Sequence, residues 1–205
     1  MSGIENVLLN GSIAEISTLY RSRRLSVAEA VSWYIARVER FRHLNAVREI
    51  SGHALHEAKL ADVALAKGAD LGPLHGIPVL LKDNIFVSGM KASAGARALA
   101  QFEPSRDAGL VSRLRVAGCI VLGKTNMTEF ADYVSDVMPS EFSGAGGVVK
   151  NPHGIRYDRG AQVSGRRHPW QHRSHRSRSA AKHRTLFTRP HATPRSSAIS
   201  RVRAA

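Results

Sequence analysis

Lys82 closes a run that holds four branched apolar residues, Ile77, Val79, Leu80 and Leu81, within Gly-Pro-Leu-His-Gly-Ile-Pro-Val-Leu-Leu-Lys-Asp-Asn-Ile at residues 72–85. Such a run predicts a strand buried on both faces. A lysine carried into that environment is costly unless it is paired or its pKa falls. Lys82 is therefore a candidate for a neutral amine, the state a general base requires near neutral pH. The competing reading is a strand-end lysine whose ammonium reaches solvent along its own apolar stem. Other chemistry-bearing residues are sparser. His75 lies in the turn before the strand and reads as structural. Cys119, the chain's one cysteine, sits in the apolar run Ala-Gly-Cys-Ile-Val-Leu and reads as a buried small hydrophobe. Lys124-Thr125-Asn126 has too little glycine around it for a phosphate loop. It reads as a packing segment, with Asn126 as a helix cap. No metal-ligand spacing and no internal repeat is present.

The elements that must position Lys82 follow from periodicity. Residues 12–22 predict a short helix with Ile13, Ile16, Leu19 and Tyr20 apolar. Residues 26–42 predict a stronger one. Ser26 and Glu29 have capping-box spacing, and Val27, Val31, Tyr34, Val38 and Phe41 recur at helical intervals. A short strand is expected at 46–50 and a third helix at 54–67, ended near Gly68. After the strand at 77–82 comes a Gly/Ala/Ser-rich loop, 88–98. A helix at 108–117 is expected to be capped by Asp107 and ended by Gly118, before a second buried strand at 119–122. Asn126 and Glu129 repeat the cap spacing ahead of a helical turn at 128–133. Helices alternating with short apolar strands imply an α/β fold with a mainly parallel or mixed sheet.

Four stretches together resemble the amidase signature family. They are the Lys82 segment, Arg-Leu-Ser-Val-Ala-Glu-Ala-Val with Leu-Asn-Ala-Val in the N-terminal helices, residues 107–130, and Asn151-Pro152-His153-Gly154. The likeness spans roughly residues 12–160. It implies a mixed sheet flanked by helices, incomplete here because family members are much longer, with this chain expected to be an N-terminal part. It implies a hydrolase or amidotransferase acting on C–N amide bonds of a small-molecule amide through a Ser-cis-Ser-Lys triad, without metal or organic cofactor. By resemblance Lys82 takes the base role. Asp83 and Asn84 are expected to hydrogen-bond the loops around Lys82, and Met127 and Glu129 to approach substrate. The two serines are the difficulty. The family's relay serine belongs to a Gly/Ser stretch soon after Asn-Pro-x-Gly, and its nucleophile to a Gly/Thr/Ser turn some two dozen residues later. Ser164 and Ser179 stand nearest those positions, but their flanks do not match. One triad member of three is recognisable.

Composition changes at the same place. The net charge of +14 is uneven: residues 1–150 hold 17 Lys/Arg against 15 Asp/Glu, and residues 151–205 hold 13 against the single acid Asp158. The chain therefore divides into an amidase-like part, 1–160, and a basic tail, 161–205, expected to be disordered. A shifted reading frame explains both the charge and the lost motif. Arginine codons of the CGN type, read one nucleotide later, begin with G and encode small or acidic residues. Residues 164–178 then permit Pro-Ala-Val-Ala-Thr-His-Gly-Asn-Ile-Ala-Ala-Ile-Ala-Val-Gly, which resembles the family's continuation. The alternative is a non-catalytic basic nucleic-acid-binding protein on an amidase-like scaffold. Its tail, with five His and with Trp170 and Phe187, would neutralise phosphates and bind in a salt-sensitive way. Neither a run of about 18 apolar residues nor a secretory leader pattern is present. With one cysteine, a cytoplasmic location and no membrane partner are expected.

Overall fold

The computed structural model describes residues 3–133 and 142–152. Among these residues, five helices and three strands follow in the order α1 (Gly3–Asn10), α2 (Ile13–Arg21), α3 (Val27–Arg40), β1 (Val47–Ile50), α4 (Ala54–Ala66), β2 (Pro78–Lys82), α5 (Gly109–Val116) and β3 (Ile120–Thr125). Short 3-10 turns cover Arg42–Leu44, Arg97–Leu99 and Glu129–Asp132. The expected basic tail lies outside the described residues.

The sheet order is β1-β3-β2, with β2 parallel and β1 antiparallel to the central β3. It is the mixed α/β sheet expected. One face carries the larger core: Ile77, Ile120 and Leu122 meet Ile16, Leu19 and Tyr20 of α2, Val27, Ala30, Val31 and Tyr34 of α3, and Ala54 and Ala58 of α4. The other face is smaller, with Leu81 and Val121 against Val87, Met90 and Val111 of α5. Strand alternation sends Val121 to one core and its neighbours Ile120 and Leu122 to the other.

Helix α3 starts as its spacing predicts. Ser26 Oγ accepts from the Glu29 amide at 3.1 Å, and the Glu29 carboxylate accepts from the Ser26 amide at 2.8 Å, a complete capping box. Ser12 and Glu15 build a second box at the start of α2. Helix α1 was not expected; it is tied down where Tyr34 Oη donates to the Leu8 carbonyl at 2.8 Å.

Three local expectations are corrected. Asp107 does not cap α5, whose N-cap is Ala108. Its carboxylate instead accepts from the Ser88 amide and from Arg115, so tertiary partners outcompete the local one. Asn126 does not cap a helix either: a 3-10 turn starts at Glu129, with Thr128 before it. The Asn126 side chain donates to the carbonyls of Asn45 and Gly146 and accepts from the Met127 amide. Finally, β2 is not buried on both faces. Only Leu81 is buried in it, because β2 is an outer strand among the described residues, whereas all six residues of the central β3 are buried.

Candidate active site

Lys82 and Thr125 are register partners at the C-terminal ends of the parallel pair β2–β3. In open α/β sheets this is where ligands bind, because the loops leaving parallel strands converge there. Lys82 is half-buried, and among the described residues its ammonium has no hydrogen-bond or ion-pair partner. The next residue is held hard. Asp83 is fully buried; its Oδ1 accepts from Arg48 at 2.7 Å, and its Oδ2 accepts from the Gly95 amide at 3.0 Å and from the Ser93 hydroxyl. Arg48 also donates to Ser93 Oγ and to the Ala100 carbonyl at 3.1 Å. A charge removed from water needs compensation of this kind, and here each carboxylate oxygen has a donor.

A second cation lies beneath the same loop. Lys124 is fully buried, and its Nζ donates to the carbonyls of Asp83 (3.2 Å), Ile85 (2.5 Å) and Lys91 (3.3 Å). Burial holds its pKa below the usual lysine value of 10.5, against the opposing pull of Asp83 and Glu49. Lys124 is thus the deeply buried lysine of the pair, consistent with a packing role, while Lys82 is only half-buried.

Gly95 links Lys82's neighbour to the remaining candidates. Its φ is +75°, and a side chain there would meet the Met127 carbonyl at 2.6 Å, so both the turn and the close approach require glycine. The Gly95 carbonyl accepts from the Ala145 amide at 2.9 Å and from Ser143 Oγ at 3.2 Å, and the Ala94 carbonyl accepts from the Phe130 amide at 2.8 Å. The loops 93–95, 127–130 and 143–147 are therefore stitched together. Met127 is buried in this platform and Glu129 half-buried, its carboxylate against Gly144. Asn84 is exposed in the turn after β2, with no side-chain hydrogen bond among the described residues. His75 is buried: its Nδ1 accepts from the Leu71 amide at 3.2 Å and its Nε2 faces the Ala61 carbonyl at 3.0 Å, a structural arrangement. Cys119 is buried, and burial pushes its thiol pKa up. No group of three or more metal-binding side chains occurs among the described residues. Ser164 and Ser179 lie outside them.

Arg48 and Ser93 are site residues that sequence reasoning missed. A β-bulge between Val47 and Glu49 makes Arg48 the extra residue of β1 relative to β3. Bulges re-aim side chains in this way, but nothing in Val-Arg-Glu-Ile announces one.

Fold and site define an α/β protein with a lysine at the carboxyl end of a parallel strand pair, beside a buried and fully satisfied carboxylate. A model of the Amidase family matches residues 29–166, and the chain belongs to that family. It is 39% identical over 142 residues to a subunit of the glutamyl-tRNA(Gln) amidotransferase of Burkholderia thailandensis, covering 69% of this chain and 27% of that protein. The solved peptide amidase of Stenotrophomonas maltophilia matches with 40% identity and a TM-score of 0.68 over 70% of this chain and 30% of its own. An amidase family protein of Bacillus anthracis matches with 35% identity and a TM-score of 0.68 over 75% and 32%. The chain thus spans about a third or less of the length of these relatives.

Proposed function

We propose that the chain carries the base lysine of a hydrolase acting on C–N amide bonds, with Lys82 in that role. The observation that carries this reading is the position of Lys82, at the carboxyl end of β2 inside the family match and next to the clamped Asp83. In this reading a serine Oγ attacks the amide carbonyl of a small-molecule substrate. Its proton passes through a second serine to the Lys82 amine. The C–N bond breaks as the nitrogen takes a proton, and water then releases the acyl group. In this reading Met127 and Glu129 approach the substrate, and Asp83 holds the loops around Lys82. No metal or organic cofactor enters these steps.

We also infer that the 205 residues do not complete this triad, because residues from about 161 onward are read in a shifted frame. The family match stops at residue 166, close to the change in composition. The 205-residue protein is then expected to be inactive on a panel of free and peptide amides. Turnover abolished by Lys82→Ala would show that it has its own serines after all. The nucleotide sequence from codon 150 past codon 205 tests the frame directly: a one- or two-base shift should restore the Gly/Ser stretch. The rival reading, a non-catalytic basic protein that binds nucleic acid, rests on the charge of 151–205 alone. It would need binding with sequence preference at physiological salt that is lost on deleting 161–205. A cytoplasmic location belongs to the same proposal. Among the described residues no helix is long and apolar enough to cross a membrane.

A further inference from the structure

We propose that Arg48 is a positioning residue for Lys82, acting through Asp83; the role has catalytic meaning only if Lys82 is the base argued above. Peptide geometry fixes consecutive Cα atoms about 3.8 Å apart, so whatever immobilises Asp83 also places the root of Lys82. Asp83 is immobilised from two sides. Its carboxylate is held by the Arg48 guanidinium, Ser93 and the Gly95 amide, and its carbonyl by Lys124. The Arg48 side chain is 13% exposed and that of Asp83 1% exposed, so solvent screens the pair little.

Three features set Arg48 apart from a routine core ion pair. It is the bulged residue of β1, an irregularity of the central β1–β3 pairing. It contacts three separate segments, at Asp83, Ser93 and Ala100, with one planar group. It also shares Ser93 with Asp83, so arginine, hydroxyl and carboxylate close a triangle. A guanidinium offers donors in a fixed fork, whereas an ammonium offers a point charge. The triangle therefore sets a geometry as well as a charge. Arg115 offers a comparison: it bridges two carboxylates, Glu57 at 2.6 Å and Asp107 at 3.0 Å, but neither adjoins Lys82.

The test needs no turnover. The full 205-residue chain is labelled with a trace of acetic anhydride, and the acetylation of Lys82 is read by mass spectrometry against the exposed Lys59 of α4. Arg48→Met is expected to raise the Lys82/Lys59 ratio about threefold or more, because local opening exposes the amine. Arg48→Lys should recover part of the native ratio, and Arg115→Met should leave it unchanged. An unchanged ratio in Arg48→Met would overturn the proposal. So would equal changes in the Arg48 and Arg115 variants, which would indicate general loosening. If Arg48→Met does not fold, Ser93→Ala opens the same triangle without burying an unpaired charge, and the same ratio decides. Failure of the amidase reading would look different: the ratio would move as expected, yet a family-length chain bearing Lys82→Ala would keep its activity.

Discussion

The helical face of this small sheet and the carboxyl ends of its parallel strands are built on different physics. On the helical side, α2, α3 and α4 bury apolar side chains against Ile120 and Leu122, and the starts of α2 and α3 are closed by residues three apart. At the carboxyl ends of β2 and β3, the buried or nearly buried groups are Arg48, Asp83, Ser93, Lys124 and Asn126, each satisfied by partners from distant segments. Apolar burial tolerates approximate geometry, because it is proportional to area and has no direction. Buried polar groups tolerate little: each lost partner leaves another group unsatisfied. The first side therefore stabilises the domain, and the second holds Lys82 in one place.

The contrast should appear most strongly when one partner of the polar side is removed. Asp83→Ala leaves Arg48 buried without its carboxylate and should cost about 3–5 kcal/mol, read as a shift in the urea midpoint. That approaches the whole stability of a marginal domain, so partial unfolding under native conditions is an expected outcome. On the apolar side, Leu122→Ala should cost about 3 kcal/mol by the same measurement, with a cavity but no orphaned charge. A loss for Leu122→Ala well above that for Asp83→Ala would reverse the comparison.

Local contacts should matter less. Ser26→Ala opens the capping box of α3 and is expected to cost about 1 kcal/mol, with Glu29 then titrating closer to its ordinary value. Glu39→Gln removes an exposed ion pair with Arg42 and should change stability by about 0.5 kcal/mol or less.

Alkaline pH sharpens the comparison from another direction. Lys124 has a folded pKa below 10.5, so as pH rises the folded chain loses this proton before the unfolded chain does. The unfolded state then binds more protons, and stability from this group rises with pH through the window below 10.5. Cys119 acts in the opposite sense: its folded pKa lies above 9.0, so stability falls as pH climbs past that value. Lys124→Met should remove the rise and leave the Cys119 fall, seen by comparing unfolding midpoints of variant and parent between neutral and alkaline pH.

Much of the helical side was legible from residue order. Ser26 and Glu29 meet through one helical turn, and the stripe from Val27 to Tyr34 becomes buried because its period matches the helix. The polar side was legible only in outline. Lys82 stood out through the apolar strand before it, and Asp83 through its neighbour. The Arg48 partner of Asp83 lies 35 residues away and depends on a bulge that the sequence does not mark. The local signals at Asp107 and Asn126 pointed to helix caps. Both side chains found better partners once distant segments arrived, Ser88 and Arg115 for one and the Asn45 and Gly146 carbonyls for the other.

By itself the sequence determined the alternation of helices and strands, the starts of α2 and α3 and the lysine at the end of β2, because these depend on spacing within about a turn or a strand. Only the tertiary structure decided that β3 is the buried central strand and β2 an outer one, that Lys124 is the submerged lysine, and that Arg48 clamps Asp83. Those outcomes depend on which segments become neighbours in space. A buried charge is tolerable only where such neighbours supply donors and acceptors from far along the chain.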